Sequence, residues 1–282
     1  GVRHLAVRGD RYTLNGRDVE IRAARSEGWY PVKRAHPSAR LAEQEVRAAK
    51  ELGLNALWVE GHVAAHALLE VADRLGLFVV QCPPSGGRAD LERLRLERLW
   101  WRDAHHPSAC RATGGAGRPR ALEVDSPAGS DGPAIEPLVG ERQGLPESRA
   151  LLGHYGRRIL PQSDGEVWAA WGQRLDEQYR AHGLDRVFAE ADMLARATSR
   201  AAYQGLARRV RSARVDGGSA GVMLPDWADE TSGRLGTVTA FRTSKGDASA
   251  VAAAMAGLAL ALDGVADQVR AGEPVQAAIW AL

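Results

Sequence analysis

Cysteine is nearly missing from the 282-residue chain. Only Cys82 and Cys110 occur, which excludes a disulfide framework and any zinc spacing built from cysteine pairs. Lysine is confined to Lys33, Lys50 and Lys245, so arginine carries the basic charge; with the abundant alanine this reads as GC-rich coding. No charge sign dominates. The 37 basic and 35 acidic residues are interspersed and leave a net charge of +2. That excludes the clustered basic patch expected of a nucleic-acid or membrane-surface protein. Long apolar runs are also missing. The longest, Ala248–Leu262, is too short and alanine-rich to span a bilayer and is expected to be a buried helix. The opening GVRHLAVRGD has no initiator Met and no signal-peptide pattern, and is expected to continue from a longer polypeptide. There is no internal repeat and no low-complexity tract.

What is present is a rhythm. Tyr12 and Leu14 precede Asn15-Gly16, a strong two-residue hairpin signal, and Asp18–Ala24 reads as the next strand. An amphipathic helix follows over Leu41–Leu52, stopped by Gly53. Asn55–Gly61 reads as a strand, Val63–Leu75 as a helix and Leu77–Cys82 as a buried strand. Ala89–Asp103 reads as a helix and Ser108–Thr113 as a strand. Strands alternating with helices through short loops predict βαβ units and a parallel sheet. The rhythm breaks after Gly117. Arg120–Val124 and Ile135–Gly140 read as strand pieces with no helix pattern between them. Residues 143–162 read as a loop, Gly165–His182 and Asp185–Arg214 as long helices, and Ser219–Leu224 and Thr237–Arg242 as strands. Asp247–Val269 reads as a closing helix and EPVQAAIWAL as the start of a strand.

Six segments, in order, carry a resemblance: GVR with YTLNGRDVEIRAA, ELGLNALWVEGHVAAHALLEVADRLGLFVVQ, HHPSACRATGGAG, GRPRALEVDSPAG, LVGERQGLPES and GVMLPDWADETSGRLGTVTAFRTSKGDA. They are similar to "GxR…LNGkpvxLrG", "elGlNxlRvWGGgxyE…cDelGilVwq", "nHPSvvlWcGGNE", "sRPYxxSSPsg", "fxSEfGxqsxP" and "GxmyWqlNDxWpxxsWxxxDyxgxpK". The chain resembles the catalytic barrel domain of glycoside hydrolase family 2, nearest to its exo-β-mannosidase and exo-β-glucosaminidase branch. The resemblance implies an α/β fold of (β/α)8 TIM-barrel type, with functional groups at the C-terminal ends of the strands. A βαβ unit needs roughly 30 residues, and only about two dozen separate the fourth-strand end from Glu141. The barrel is therefore expected to be shortened or incomplete between strands 4 and 7. The resemblance further implies a lead-in hairpin from a preceding β-sandwich over residues 1–17, the barrel over 18–270, and the start of a following β domain or tail over 271–282.

Retaining glycosidases of this kind need two carboxyl groups about 5–5.5 Å apart, one a nucleophile and one an acid/base. By resemblance, Glu141 occupies the nucleophile position and Gly117 stands where the acid/base glutamate belongs. GGAG in place of GGNE keeps the glycines and removes the proton donor. Substitute acids near strand ends are Glu60, Glu123 and Asp125; the plain alternative for Glu60 is a surface carboxylate paired with arginine. Glu123 and Asp125, two apart, would share one face of a strand. For substrate, the resemblance implicates Arg25, Trp58, Trp227 and Asp229, with Trp29 as a further member of an aromatic platform; packing in the core is the competing role of these tryptophans. His62 and His66 sit four apart without the glutamate of a zinc-protease pattern, and Cys82 and Cys110 read as buried thiols on adjacent strands. No cofactor and no metal are expected. The implied partners are a carbohydrate ligand and flanking β-sandwich domains. Three activities stay open: a degenerate domain that binds sugar or serves as architecture, an exo-β-glycosidase with a relocated acid, and a different reaction on the old barrel.

Overall fold

The computed structural model describes residues 3–83, 89–113, 120–123, 132–138, 143–155, 164–263, 274 and 276–282. The chain opens with an antiparallel meander, β1 (Leu5–Arg8), β2 (Arg11–Leu14) and β3 (Arg17–Val19). Asn15 and Gly16 form its second turn with φ of 52° and 80°, the two positive values that a tight hairpin needs and that Asn-Gly supplies cheaply.

Strands and helices then alternate through β4 (Ile21–Ser26), α1 (Ala39–Glu51), β5 (Ala56–Glu60), α2 (His66–Leu75), β6 (Phe78–Cys82), α3 (Ala89–Asp103) and β7 (Ala109–Thr113). Local signals set their ends. The Ser38 hydroxyl caps α1 by accepting the Leu41 N–H, and Gly76 closes α2 in the left-handed conformation at φ 74°. After β8 (Arg120–Glu123) and β9 (Glu136–Pro137) come α4 (Ser148–Gly153), α5 (Asp164–Ala181), a 3-10 turn at Leu184–Arg186 and α6 (Ala191–Asp216). The chain ends through β10 (Gly221–Leu224), α7 (Ser249–Ala254), β11 (Leu260–Asp263) and β12 (Ala278–Ala281).

Seven strands form the main sheet in the order β8-β7-β6-β5-β4-β10-β9. Six of them are parallel, and β8 alone runs antiparallel, on β7. The fold is therefore α/β, as the sequence predicts. A closed eight-stranded barrel is not formed among the described residues: β8 and β9 are the two edges of the sheet. No helix lies between β7 and β9 among those residues.

Alternation along each strand divides the core. Ala24, Leu57, Val59, Val79, Val222 and Leu224 face outward and pack under α1, α2, α6 and α7. Ile21, Ala23, Ala56, Trp58, Phe78, Val80, Cys110 and Met223 face the other way, and Leu5 and Tyr12 of the meander join them. Arg3 holds the meander in place, donating to the Ala109 carbonyl at 3.1 Å with its guanidinium 4.7 Å from the Phe78 ring. Ala109 and Phe78 are the first residues of their strands, so the meander sits beneath the N-terminal ends of the sheet.

Four local expectations are corrected. Among the described residues of the closing helix expected over Asp247–Val269, only α7 is helical, six residues long, and it is followed by β11, which pairs antiparallel with β12. Arg214 donates to the carbonyls of Ala254 and Ala256 at 2.6 and 3.0 Å, taking acceptors that a continuing helix would use internally. The strand expected over Thr237–Arg242 is a tight loop with Arg242 at φ 61°, and only Val238 makes isolated bridges, to Ala228 and Ser244. The stretch 143–162, expected to be a loop, contains α4. His62 precedes α2, which begins at His66, so the two histidines do not share a helix.

Candidate functional site

The C-terminal ends of β4, β5, β6 and β10 meet at one rim. On β4 the inward series Ile21, Ala23 continues to Arg25; on β5 the series Ala56, Trp58 ends at Glu60; on β6 it ends at Cys82. The register sets Arg25 opposite Trp58 and Glu60 opposite Cys82. Arg25 is the hub. It donates to the Pro225 carbonyl and to Asp226 Oδ1, both at 2.7 Å, and lies 3.7 Å from Glu60 Oε2. Burial alone would lower the Arg25 guanidinium pKa; Asp226, with Glu60 and Glu27 behind it, more than offsets this and holds it above its ordinary value. Burial, with Glu60 adding to it, pushes the Cys82 thiol up, so Cys82 is no ready nucleophile.

A second cluster adjoins the hub. Glu27, just past β4, and Glu230, in the loop after β10, share Arg234: its guanidinium touches Glu27 and lies 3.8 Å from Glu230 Oε2. The Ser232 hydroxyl donates to Glu230 at 3.2 Å. Burial, with the neighbouring Glu27 carboxylate adding to it, raises the Glu230 carboxyl to about 7 against the pull of Arg234.

The residues singled out in the sequence fall in different places. Arg25 and Glu60 meet at the rim, where Glu60 is arginine-paired. Trp58 is buried in the inner cluster. Trp227 is buried in the outer one, its indole N–H donating to Glu45 Oε1 at 3.0 Å. Trp29 lies 5.9 Å beneath the Arg34 guanidinium. The three rings therefore do not form a single platform. Asp229 is buried in an ion pair with Lys245 and accepts the Gly236 N–H at 2.8 Å, while its Oδ2 has no partner among the described residues. Burial raises its carboxyl to about 6 even though Lys245 opposes the shift. Lys245 Nζ also donates to the Gly144 carbonyl at 2.7 Å, fastening residue 144 to the loop after β10. Glu123 lies on β8 in register with Cys110. Gly117, Asp125 and Glu141 lie outside the described residues.

Sequence reasoning missed Glu27, Asp226, Glu230 and Arg234. Glu27 had a signal, since it follows Arg25 by two and so continues the inward series of β4. The others sit on an irregular loop and carry none. Among the described residues, no group of His, Cys, Asp and Glu side chains is arranged to hold a metal, and no helix is long and apolar enough to cross a membrane. A groove of about 1010 Å³ runs outside the sheet along α1, α2 and residues 238–252, away from the rim.

No family model matches the chain, and no curated protein does. Solved structures that align with it include a β-glucuronidase from Ruminococcus gnavus in complex with D-glucuronic acid, at 20% identity and a TM-score of 0.35 over 39% of this chain and 20% of that one. A glycosyl hydrolase family 2 member from Bacteroides cellulosilyticus aligns at 24% identity and a TM-score of 0.34, over 39% of this chain and 16% of that one. The chain thus spans a fifth or less of the length of these structures.

Proposed function

We propose that the chain is a glycosidase-like domain derived from the family 2 barrel, with its hydrolytic power weakened by loss of the acid/base glutamate at Gly117. The supporting observation is the return of β10 to β4. The parallel sheet runs β4 to β7 in chain order, and then β10 pairs with the first of these strands, as the last strand of a (β/α)8 barrel would. Arg25, Glu60 and Asp226 meet at the rim that these strands share, and this reading assigns Gly117 and Glu141 to the same rim. In this reading Glu141 is the nucleophile, and the substrate is a terminal β-glycoside of the mannoside or glucosaminide type; that branch rests on the sequence motifs alone. β-Sandwich domains flank the barrel in the same polypeptide.

The missing donor decides the behaviour. General acid assistance supplies typically about 10²–10⁴-fold, and poor leaving groups depend on it most. Aryl β-mannosides, β-glucosaminides, β-glucuronides and β-galactosides with activated leaving groups need little such help. The expected result is slow release of aryl alcohol from one of them, abolished by Glu141→Gln. No release from any of the four, with Glu141→Gln indistinguishable from wild type, overturns hydrolysis.

The vacancy at Gly117 also supports a second reading, a barrel that holds sugar without cleaving it. Calorimetry with the matching monosaccharides tests it, and heat at millimolar ligand without turnover is the expected signature.

A further inference from the structure

Of the three lysines, Lys33 and Lys50 are exposed and Lys245 is folded inside, a rare place for a lysine. Its partner is Asp229, and the two side chains are 1% and 0% exposed. Lys245 Nζ lies 2.5 Å from Asp229 Oδ1 and donates as well to the Gly144 carbonyl at 2.7 Å. Oδ1 also accepts the Gly236 N–H at 2.8 Å, while Oδ2 has no partner among the described residues. The backbone fixes both ends. The Lys245 N–H donates to the Tyr203 hydroxyl at 3.0 Å, and the Asp229 N–H to the Val238 carbonyl at 3.1 Å. A charged pair in so dry a place is costly, because neither ion keeps its hydration. Burial pushes the Asp229 carboxyl up to about 6 and the Lys245 amine down, so each is moved toward its uncharged form. A desolvated lysine amine is a nucleophile, and a carboxyl stands against it.

We propose that Lys245 and Asp229 are a site of covalent cross-linking, at which an amide forms between Nζ and Cγ with loss of one water. The Nζ lone pair attacks Cγ, and the Cγ–Oδ2 bond breaks. Oδ2 leaves as water, carrying the carboxyl proton and one proton from the amine, so amine and carboxylic acid become amide and water with nothing oxidised or reduced. The hydrogen bonds in place suit the product better than the ion pair. Oδ1 stays as the amide carbonyl with the Gly236 N–H on it, and the N–H left on Nζ keeps the Gly144 carbonyl. The oxygen without a partner is the one removed. The Gly236 N–H is also placed to take up negative charge on Oδ1 as the amine adds. No third carboxyl is hydrogen-bonded to Asp229 among the described residues, so closure has no acid to help it and is slow. The ion pair, with its titrating carboxyl, is the form that precedes it. This site is independent of the glycosidase reading.

Mass spectrometry of the full chain, incubated near neutral pH, tests this. A species lighter by one water is expected to accumulate in wild type. Its digest is expected to contain the peptide with Asp229 joined to the peptide with Lys245. Lys245→Met is expected to form neither. Asp229→Asn is expected to lose ammonia instead of water and to end at the mass of closed wild type, because both routes give the same amide. The joined peptide decides, and it is read in wild type, so the result does not depend on whether a variant folds. A wild type that keeps its full mass and yields no joined peptide after prolonged incubation holds an ordinary buried ion pair, which overturns the proposal. Loss of water without the joined peptide, persisting in Lys245→Met, is dehydration at another residue and overturns it equally.

Discussion

The most demanding residues lie behind the rim. Glu45, on α1, is fully buried and accepts hydrogen bonds from the Tyr30 hydroxyl at 2.5 Å, Trp227 Nε1 at 3.0 Å and Arg242 Nε at 3.2 Å. Arg242 is as deeply buried; it also donates to the carbonyls of Ala240 and Trp29 and stacks 4.3 Å from the Tyr30 ring. Burial, with the charge of Glu45 beside it, pushes the Tyr30 hydroxyl well above its ordinary pKa. Removing one partner strands the other. Arg242→Met is expected to cost about 3–5 kcal/mol in denaturant unfolding, and the double change Glu45→Leu with Arg242→Met less than the sum of the singles. Titration gives a second expectation. Asp229 and Glu230 bind their protons more tightly folded than unfolded. Their contribution to stability is complete below about pH 4 and is lost as pH rises through about 6 for Asp229 and about 7 for Glu230. Melting temperature should fall between about pH 5 and about pH 8, and should fall less in Glu230→Gln.

At the scale of elements, the join between β10 and β4 leaves no room for a side chain at its start. Gly221 opens β10 against the backbone of Ile21, where an added Cβ would collide with the Ile21 carbonyl and nitrogen. Gly221→Ala must push the strands apart or lose their pairing. The expected result is a loss of thermal stability far beyond the roughly 1 kcal/mol scale of ordinary glycine replacements, read by circular dichroism. Several of these elements were legible in the sequence, because local signals bound them: Asn15-Gly16 and Gly53 each act within a few residues, whereas the cap that Ser38 gives α1 was not read. The rim was only half legible. Arg25 and Glu60 stand at readable strand ends, but Arg25 meets Asp226 across 201 residues of chain. Only the register of β4 with β10 brings them together, and no local pattern encodes that. The closing helix misled for a similar reason. Its alanines are good helix formers, and the competitor for its carbonyls, Arg214, lies on α6.

At the scale of the whole molecule, two layers of apolar packing meet back to back across one sheet. The outer layer is sealed by helices, whereas the inner one depends on the small meander. Tyr12 is fully buried there and its hydroxyl donates to the Pro133 carbonyl at 2.7 Å, tying the first strands to the approach to β9. Tyr12→Ala removes the ring and the tie together. A loss of about 3–5 kcal/mol is expected in denaturant unfolding, with new binding of an apolar dye as the inner cluster opens.

The seat of the meander also separates the two ends of the sheet. Leu5 and Tyr12 pack against the inner face and Arg3 holds the Ala109 carbonyl, so the N-terminal ends of β6 and β7 are covered, while Arg25 and Glu60 stand at the opposite, C-terminal end. On the glycosidase reading proposed above, free sugar should compete with incoming glycoside at that C-terminal end.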